Sequence, residues 1–182
     1  MNIKILCLHG FQNNAKIIQQ QSKYFRSIIN HKFIIPNAPN LSYDKPEELN
    51  TKYFLPPYYH WYNYNNNESL KCSIDYLQTF GKFDGILGFS QGSAMATHIF
   101  DIIEPKFFIS IAGVNPELNK KYNIPSIHFI GKNDKLYKRR SCELMNMFTC
   151  PEVVYFEGGH EFLSRRHTNE LIKCKEFIKK VI

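Results

Sequence analysis

Residues 83–100 run Phe-Asp-Gly-Ile-Leu-Gly-Phe-Ser-Gln-Gly and then Ser-Ala-Met-Ala-Thr-His-Ile-Phe, an apolar stretch that closes on Gly88-Phe-Ser90-Gln-Gly92 and opens at once into small, helix-forming residues. A strand that stops on a serine and turns directly into a helix has no room for a Cβ two residues to either side, so both positions call for glycine. The turn lifts the Ser90 hydroxyl clear of a sheet. It also leaves the first amides of the following helix without intrahelical acceptors, aimed at the same space. That is how a nucleophile is presented beside donors able to hold a developing oxyanion. Five positions of common residues match by chance in many chains; the flanking strand and helix give this match its meaning.

The rest of the chain supplies the surroundings such a turn needs. Ile3 to Leu8 is a short, largely apolar run ending in His9-Gly10, which predicts a central strand. Ile17, Ile18, Tyr24, Phe25, Ile28 and Ile29 recur at helical spacing with Lys16, Lys23 and Arg26 on other faces, predicting one amphipathic helix over 15–29. Strands are expected at 33–35, 83–89, 107–112, 127–130 and 153–156, with helices at 68–80, 91–103, 137–148 and 165–180. Alternation of this kind predicts a single α/β domain over 1–182, a mostly parallel sheet of about six strands covered by helices on both faces. Ligand sites in such folds lie at the carboxyl ends of the strands. Residues 40–67 stand apart, with Pro46, Pro56, Pro57, the aromatic run Tyr53, Phe54, Tyr58, Tyr59, Trp61, Tyr62, Tyr64 and then Asn65-Asn-Asn67. A long irregular excursion is expected there, its rings either covering a core edge or lining a pocket.

A serine hydroxyl is a weak nucleophile. It needs a base, and the base needs a third group to fix its tautomer. Of seven histidines, His160 lies in Phe156-Glu-Gly-Gly-His160-Glu-Phe162, a glycine-rich loop just after an expected strand, where its side chain can reach over the sheet's carboxyl edge. His31, His98, His128 and His167 fall on a connection, in a helix, in a strand and at a helix start, and are read as structural; His60 has no spacing that assigns it a role. Asp134, in Gly131-Lys-Asn-Asp134, follows the strand at 127–130 and is the candidate orienting acid. The order serine, acid, histidine is that of the α/β-hydrolases. Asp75, Asp84 and Asp101 fall where surface charges are expected, and Glu157 is the alternative acid. His9-Gly10-Phe11 follows the first strand, so the backbone amides of Phe11 and Gln91 are the candidate oxyanion donors. The His9 side chain is expected to brace this loop. It also stands, with Phe54, Tyr58, Trp61 and Phe162, among the candidate substrate contacts.

Charge and cysteines exclude other classes. Lys and Arg number 23 against 16 Asp and Glu, a net charge of +7, with the basic residues gathered late in the chain. A solvated helix face ending in Lys179-Lys180 accounts for them without a nucleic acid. Apolar runs are far too short to span a bilayer, and the first residues are expected to form a strand and not an export signal. Five cysteines, an odd number with no Cys-x-x-Cys pair, suit a reducing compartment, so the cytoplasm is the expected location. No His-Glu-x-x-His, zinc-spaced ligand pair or phosphate loop occurs, and neither metal nor cofactor is expected.

With these residues in place, the chain resembles the FSH family of serine hydrolases over almost its whole length. The resemblance is carried by Leu6-Cys-Leu-His-Gly-Phe11 with Asn14, by Ala38-Pro39, by Trp61, and by Phe83-Asp-Gly-Ile-Leu-Gly-Phe-Ser-Gln-Gly92. It continues through Ile109-Ser-Ile-Ala-Gly113, Ile124-Pro-Ser-Ile-His-Phe-Ile-Gly131 with Asp134, and Gly158-Gly-His160. It implies an α/β-hydrolase fold, a Ser90-Asp134-His160 triad, an oxyanion hole at Phe11 and Gln91, and cofactor-free hydrolysis of carboxylic esters. Departures touch loops: Asn13 stands where glutamine is common, and Glu161-Phe162 where Val-Pro often follows the histidine. The expected substrate is a small-molecule ester with an apolar acyl group. A thioester cleaved by the same residues is the alternative, and a non-catalytic protein that binds a ligand or partner is the alternative of another class.

Overall fold

Strands buried on both faces leave a chain little choice but a parallel sheet between helical layers. The protein, described by a computed structural model over residues 3–44, 54–135 and 137–182, adopts that arrangement. In chain order β1 (Lys4–Leu8) leads to α1 (Ala15–Gln21), α2 (Lys23–Ile29) and β2 (Lys32–Ile34). A short pair, β3 (Asn40–Ser42) and β4 (Tyr58–His60), precedes α3 (Asn67–Gln78). Then come β5 (Gly85–Phe89), α4 (Gln91–Ile103), β6 (Phe107–Ile111), β7 (Ser126–Gly131), α5 (Lys138–Met145), β8 (Pro151–Phe156) and α6 (Thr168–Val181).

The main sheet has six strands in the order β2-β1-β5-β6-β7-β8, all parallel. The chain steps outward from β1 to β2, returns to lay β5 on the other side of β1, and then continues outward. The order therefore reverses between β1 and β5, and the crevice beyond their carboxyl ends is where parallel sheets bind ligands. Alternate residues of β1 serve opposite layers. Ile5 and Cys7 join Phe25, Phe107, Leu171 and Phe177 beneath α2 and α6, while Leu6 and Leu8 join Ile86, Met95, Ile99 and Phe108 beneath α4. Phe107, Phe108 and Ile109 are wholly buried, and full burial of such a side chain is worth about 1.5–3 kcal/mol. Among the described residues, no helix is long and apolar enough to cross a membrane.

Two expectations need correction. The helix at 15–29 is two seven-residue helices, because Ser22 (φ −86°, ψ 2°) leaves the α region between them. Its buried hydroxyl accepts from Arg26 Nε (3.1 Å), which ties the second helix to the break. The excursion at 40–67 is not wholly irregular. β3 and β4 pair antiparallel, Leu41 opposite Tyr59, and Asn13 exchanges backbone hydrogen bonds with Tyr59 (2.8 and 3.1 Å). That pairing pins the excursion against the loop after β1. Pro46 and Tyr53 lie outside the described residues.

Candidate active site

The turn after β5 is built as its glycines require. A Cβ on Gly88 would sit 2.4 Å from the Ser93 backbone, and one on Gly92 would sit 2.2 Å from the Leu8 carbonyl oxygen. Both glycines are therefore conditions for α4 to pack directly over β5 and β1. Ser90 adopts φ 52°, ψ −120°, a conformation a non-glycine residue holds at a cost of about 1–3 kcal/mol when its surroundings enforce it. Here the Ser90 amide donates to Ile111 O (3.2 Å), the Ser93 amide donates to Ser90 O (3.0 Å), and Ser93 Oγ donates to Gly88 O (2.7 Å).

Three side chains distant in sequence meet at this turn. His160 Nε2 lies 2.9 Å from Ser90 Oγ, and His160 Nδ1 lies 2.8 Å from Asp134 Oδ2. The carboxylate only accepts, so Nδ1 carries the proton, and the Nε2 lone pair is left facing the serine. Asp134 is almost fully buried, and its other oxygen accepts from the Tyr137 amide (2.9 Å). His160 is held in turn by backbone contact between two loops. Asn133 N donates to Gly158 O (2.9 Å) and Lys132 N to Phe156 O (3.0 Å), and a Cβ on Gly131 would lie 2.3 Å from Gly159 O. The rings of Tyr137 and Phe89 flank the imidazole at centroid distances of 4.5 and 5.6 Å.

Gln91 is the first residue of α4, so its amide has no intrahelical acceptor. Phe11 follows β1 just past the last ladder pair, Leu8 with Gly88. Its ring is half exposed and tilts against His60 at 5.7 Å. The Gln91 side chain does work that motif reasoning did not find. Its Oε1 accepts from Trp61 N (2.9 Å) and its Nε2 donates to Tyr62 O (2.7 Å), fastening the turn to the segment after β4.

Of the candidate substrate contacts, His9 braces the loop as expected, and most of the rings cover the core. His9 is fully buried. Its Nδ1–H donates to Gly10 O (2.8 Å) and its Nε2 accepts from Ala38 N (3.0 Å), so both ring nitrogens are used to brace the loop. Trp61 is also fully buried, its indole N–H donating to His9 O (2.8 Å), which takes it out of a ligand's reach. Phe162 packs edge-on against Phe25 in the core, and buried Tyr58 donates its hydroxyl to Phe54 O (2.7 Å). The rings of the 40–67 excursion are expected either to cover a core edge or to line a pocket, and Phe162 to contact substrate. Packing claims them, and only Phe54 of the five keeps appreciable exposed surface. Glu157, the alternative acid, is exposed and paired with Lys132. Asp75, Asp84 and Asp101 likewise pair with Lys71, Lys106 and Lys120 at the surface. Among the described residues, no group of three or more His, Cys, Asp or Glu is arranged to hold a metal ion.

Comparison with known proteins shows which family the chain falls in. The family model described as Serine hydrolase (FSH1) matches residues 1–170. The chain belongs to that family. It is a serine hydrolase, and relatives it matches are named esterases. Esterase CG5412 of Drosophila melanogaster is 26% identical over 192 residues, covering 88% of this chain and 68% of that protein. Esterase OVCA2 of Mus musculus is 31% identical over 108 residues, covering 51% of this chain and 48% of that protein. Among solved structures, the carboxylesterase of Bacillus cereus superposes with a TM-score of 0.70 at 15% identity, over 100% of this chain and 89% of the other. At that identity the likeness establishes the α/β-hydrolase fold.

Proposed function

We propose that this serine hydrolase cleaves small-molecule carboxylic esters through an acyl-enzyme formed on Ser90. The observation that carries the reading is the unbroken hydrogen-bonded line from Asp134 through His160 to Ser90, with Nε2 free to accept. Ser90 Oγ attacks the ester carbonyl carbon while its proton passes to His160 Nε2, and Asp134 stabilises the imidazolium that forms. The carbonyl oxygen takes up negative charge beside the Phe11 and Gln91 amides, and a donor of that kind contributes about 2.7–4 kcal/mol to the transition state. His160 then gives its proton to the departing alkoxide. A water, deprotonated by the same nitrogen, attacks the acyl carbon and returns Ser90 to its starting form.

The acyl group is apolar in this reading. The exposed Phe11 ring, next to Gly10 where a Cβ would lie 3.3 Å from Ser90 Cβ, offers hydrophobic surface beside the nucleophile. Cys7, Cys72, Cys142, Cys150 and Cys174 are all free thiols, which suits the cytoplasm. A fluorophosphonate probe is the direct test: the folded protein is expected to be labelled at Ser90, and Ser90→Ala to abolish both labelling and ester hydrolysis. Folded protein that resists the probe and leaves a series of p-nitrophenyl esters intact would overturn the proposal.

A further inference from the structure

His160 sits on a double-glycine loop, and its bond to Asp134 fixes the direction of Nδ1 without fixing the plane of the ring. An imidazole held at one nitrogen can still pivot about the Nδ1···Oδ2 line, carrying Nε2 away from Ser90. Something must hold that plane. Tyr137 lies three residues past Asp134, and its amide donates to Asp134 Oδ1 (2.9 Å) while Oδ2 accepts from His160 (2.8 Å). From that same position its ring is brought against the imidazole, centroids 4.5 Å apart and planes inclined by 46°. A second ring, Phe89, comes from the residue before the nucleophile and lies 5.6 Å away at 35°.

We infer that Tyr137 is a positioning residue for the reaction proposed above, its ring packed against the imidazole and holding it in the plane that keeps Nε2 on the Ser90 hydroxyl. One residue thus serves both partners of the acid–base pair, the carboxylate through its backbone and the imidazole through its side chain. The role belongs to the ring, which phenylalanine at this position keeps. Misplacement of a reacting group by about 1 Å can cost on the order of 10²-fold in rate. The loss therefore belongs in turnover and not in substrate binding.

The inference rests on the proposed hydrolase reading, and wild type, Y137F and Y137L compared on a p-nitrophenyl ester, with fluorophosphonate labelling rates alongside, separate the two. Y137F is expected to stay within about twofold of wild type, whereas Y137L is expected to lose about tenfold or more in kcat at unchanged KM, with labelling slowed in parallel. Thermal unfolding checks that each variant is folded. Should Y137L not fold, Tyr137→Met, also without a ring but more adaptable in packing, carries the same comparison. Wild-type kcat in the ring-less variant, an equal fall in Y137F, or a change in KM alone would overturn the positioning role while leaving the hydrolase reading intact. Wild-type protein that neither labels nor hydrolyses would overturn both.

Discussion

Asp134 illustrates how much depends on which atom faces which. Its carboxylate can only accept, and this holds the His160 proton on Nδ1 and keeps Nε2 basic toward Ser90. Asparagine has nearly the same shape, but its amide can turn an N–H toward Nδ1 and hold the opposite tautomer. Asp134→Asn is therefore expected to lower kcat by about four orders of magnitude with little change in KM or stability. Glu157→Gln, at an exposed position paired with Lys132, should leave turnover near wild type. A mild loss in D134N joined to a large one in E157Q would reverse the assignment. The meeting of Ser90, Asp134 and His160 could be anticipated from sequence because each sits in a glycine-marked turn after an apolar run. That of Tyr137 could not, since its contact with His160 spans 23 positions and no local pattern encodes a ring meeting across two loops. Nor could sequence decide whether Trp61 and Phe162 face core or ligand, because an aromatic residue near a turn has the same local sequence in either place.

The strand-turn-helix unit around Ser90 works because backbone meets backbone where glycine stands. A Cβ on Gly92 would lie 2.2 Å from Leu8 O and 2.7 Å from His9 O, atoms that cannot swing aside without moving β1 and the loop carrying Phe11. Gly92→Ala is expected to destabilise the protein by about 1–3 kcal/mol or more, read as a lower urea midpoint, and to depress activity beyond the stability loss. Gly159→Ala is the control. A Cβ there meets nothing nearer than Asn133 O at 3.9 Å, so stability should be nearly unchanged. Equal tolerance of the two substitutions would mean that the close approach is not a constraint. At this scale the core strands could be read from apolar runs, because burial on both faces demands them. The break at Ser22 could not, since the hydrophobic spacing of 15–29 continues across it. The β3–β4 pairing could not either, as its two strands are separated by 15 residues that carry no hairpin turn signal.

Across the whole molecule, the two core layers enclose imidazoles as well as hydrocarbons, and this couples the fold to pH. Burial holds His9 down at about 4 and His128 down at about 3, and desolvation also lowers His98 and His60. His9 needs its neutral form, since Nε2 accepts from Ala38 N, and His128, on β7, is wedged against Phe108 and Phe148 with Nε2 near Ser126 Oγ (3.1 Å). The unfolded chain takes up these protons near pH 6.5, whereas the native state refuses them until about 4 and about 3. Between those values the unfolded state binds more protons, so stability rises with pH there and levels off above about 7. At pH 5 the penalty is about 2 kcal/mol for each of the two histidines, a large share of a typical domain's total. Urea midpoints should therefore fall steeply from pH 7.5 to pH 5. His128→Phe, which places a ring among rings and removes one titrating group, should reduce that slope while leaving the Ser90 turn and its chemistry in place. A slope unchanged in H128F would mean that the acid sensitivity arises elsewhere, and midpoints independent of pH over this range would mean that the buried imidazoles do not oppose protonation.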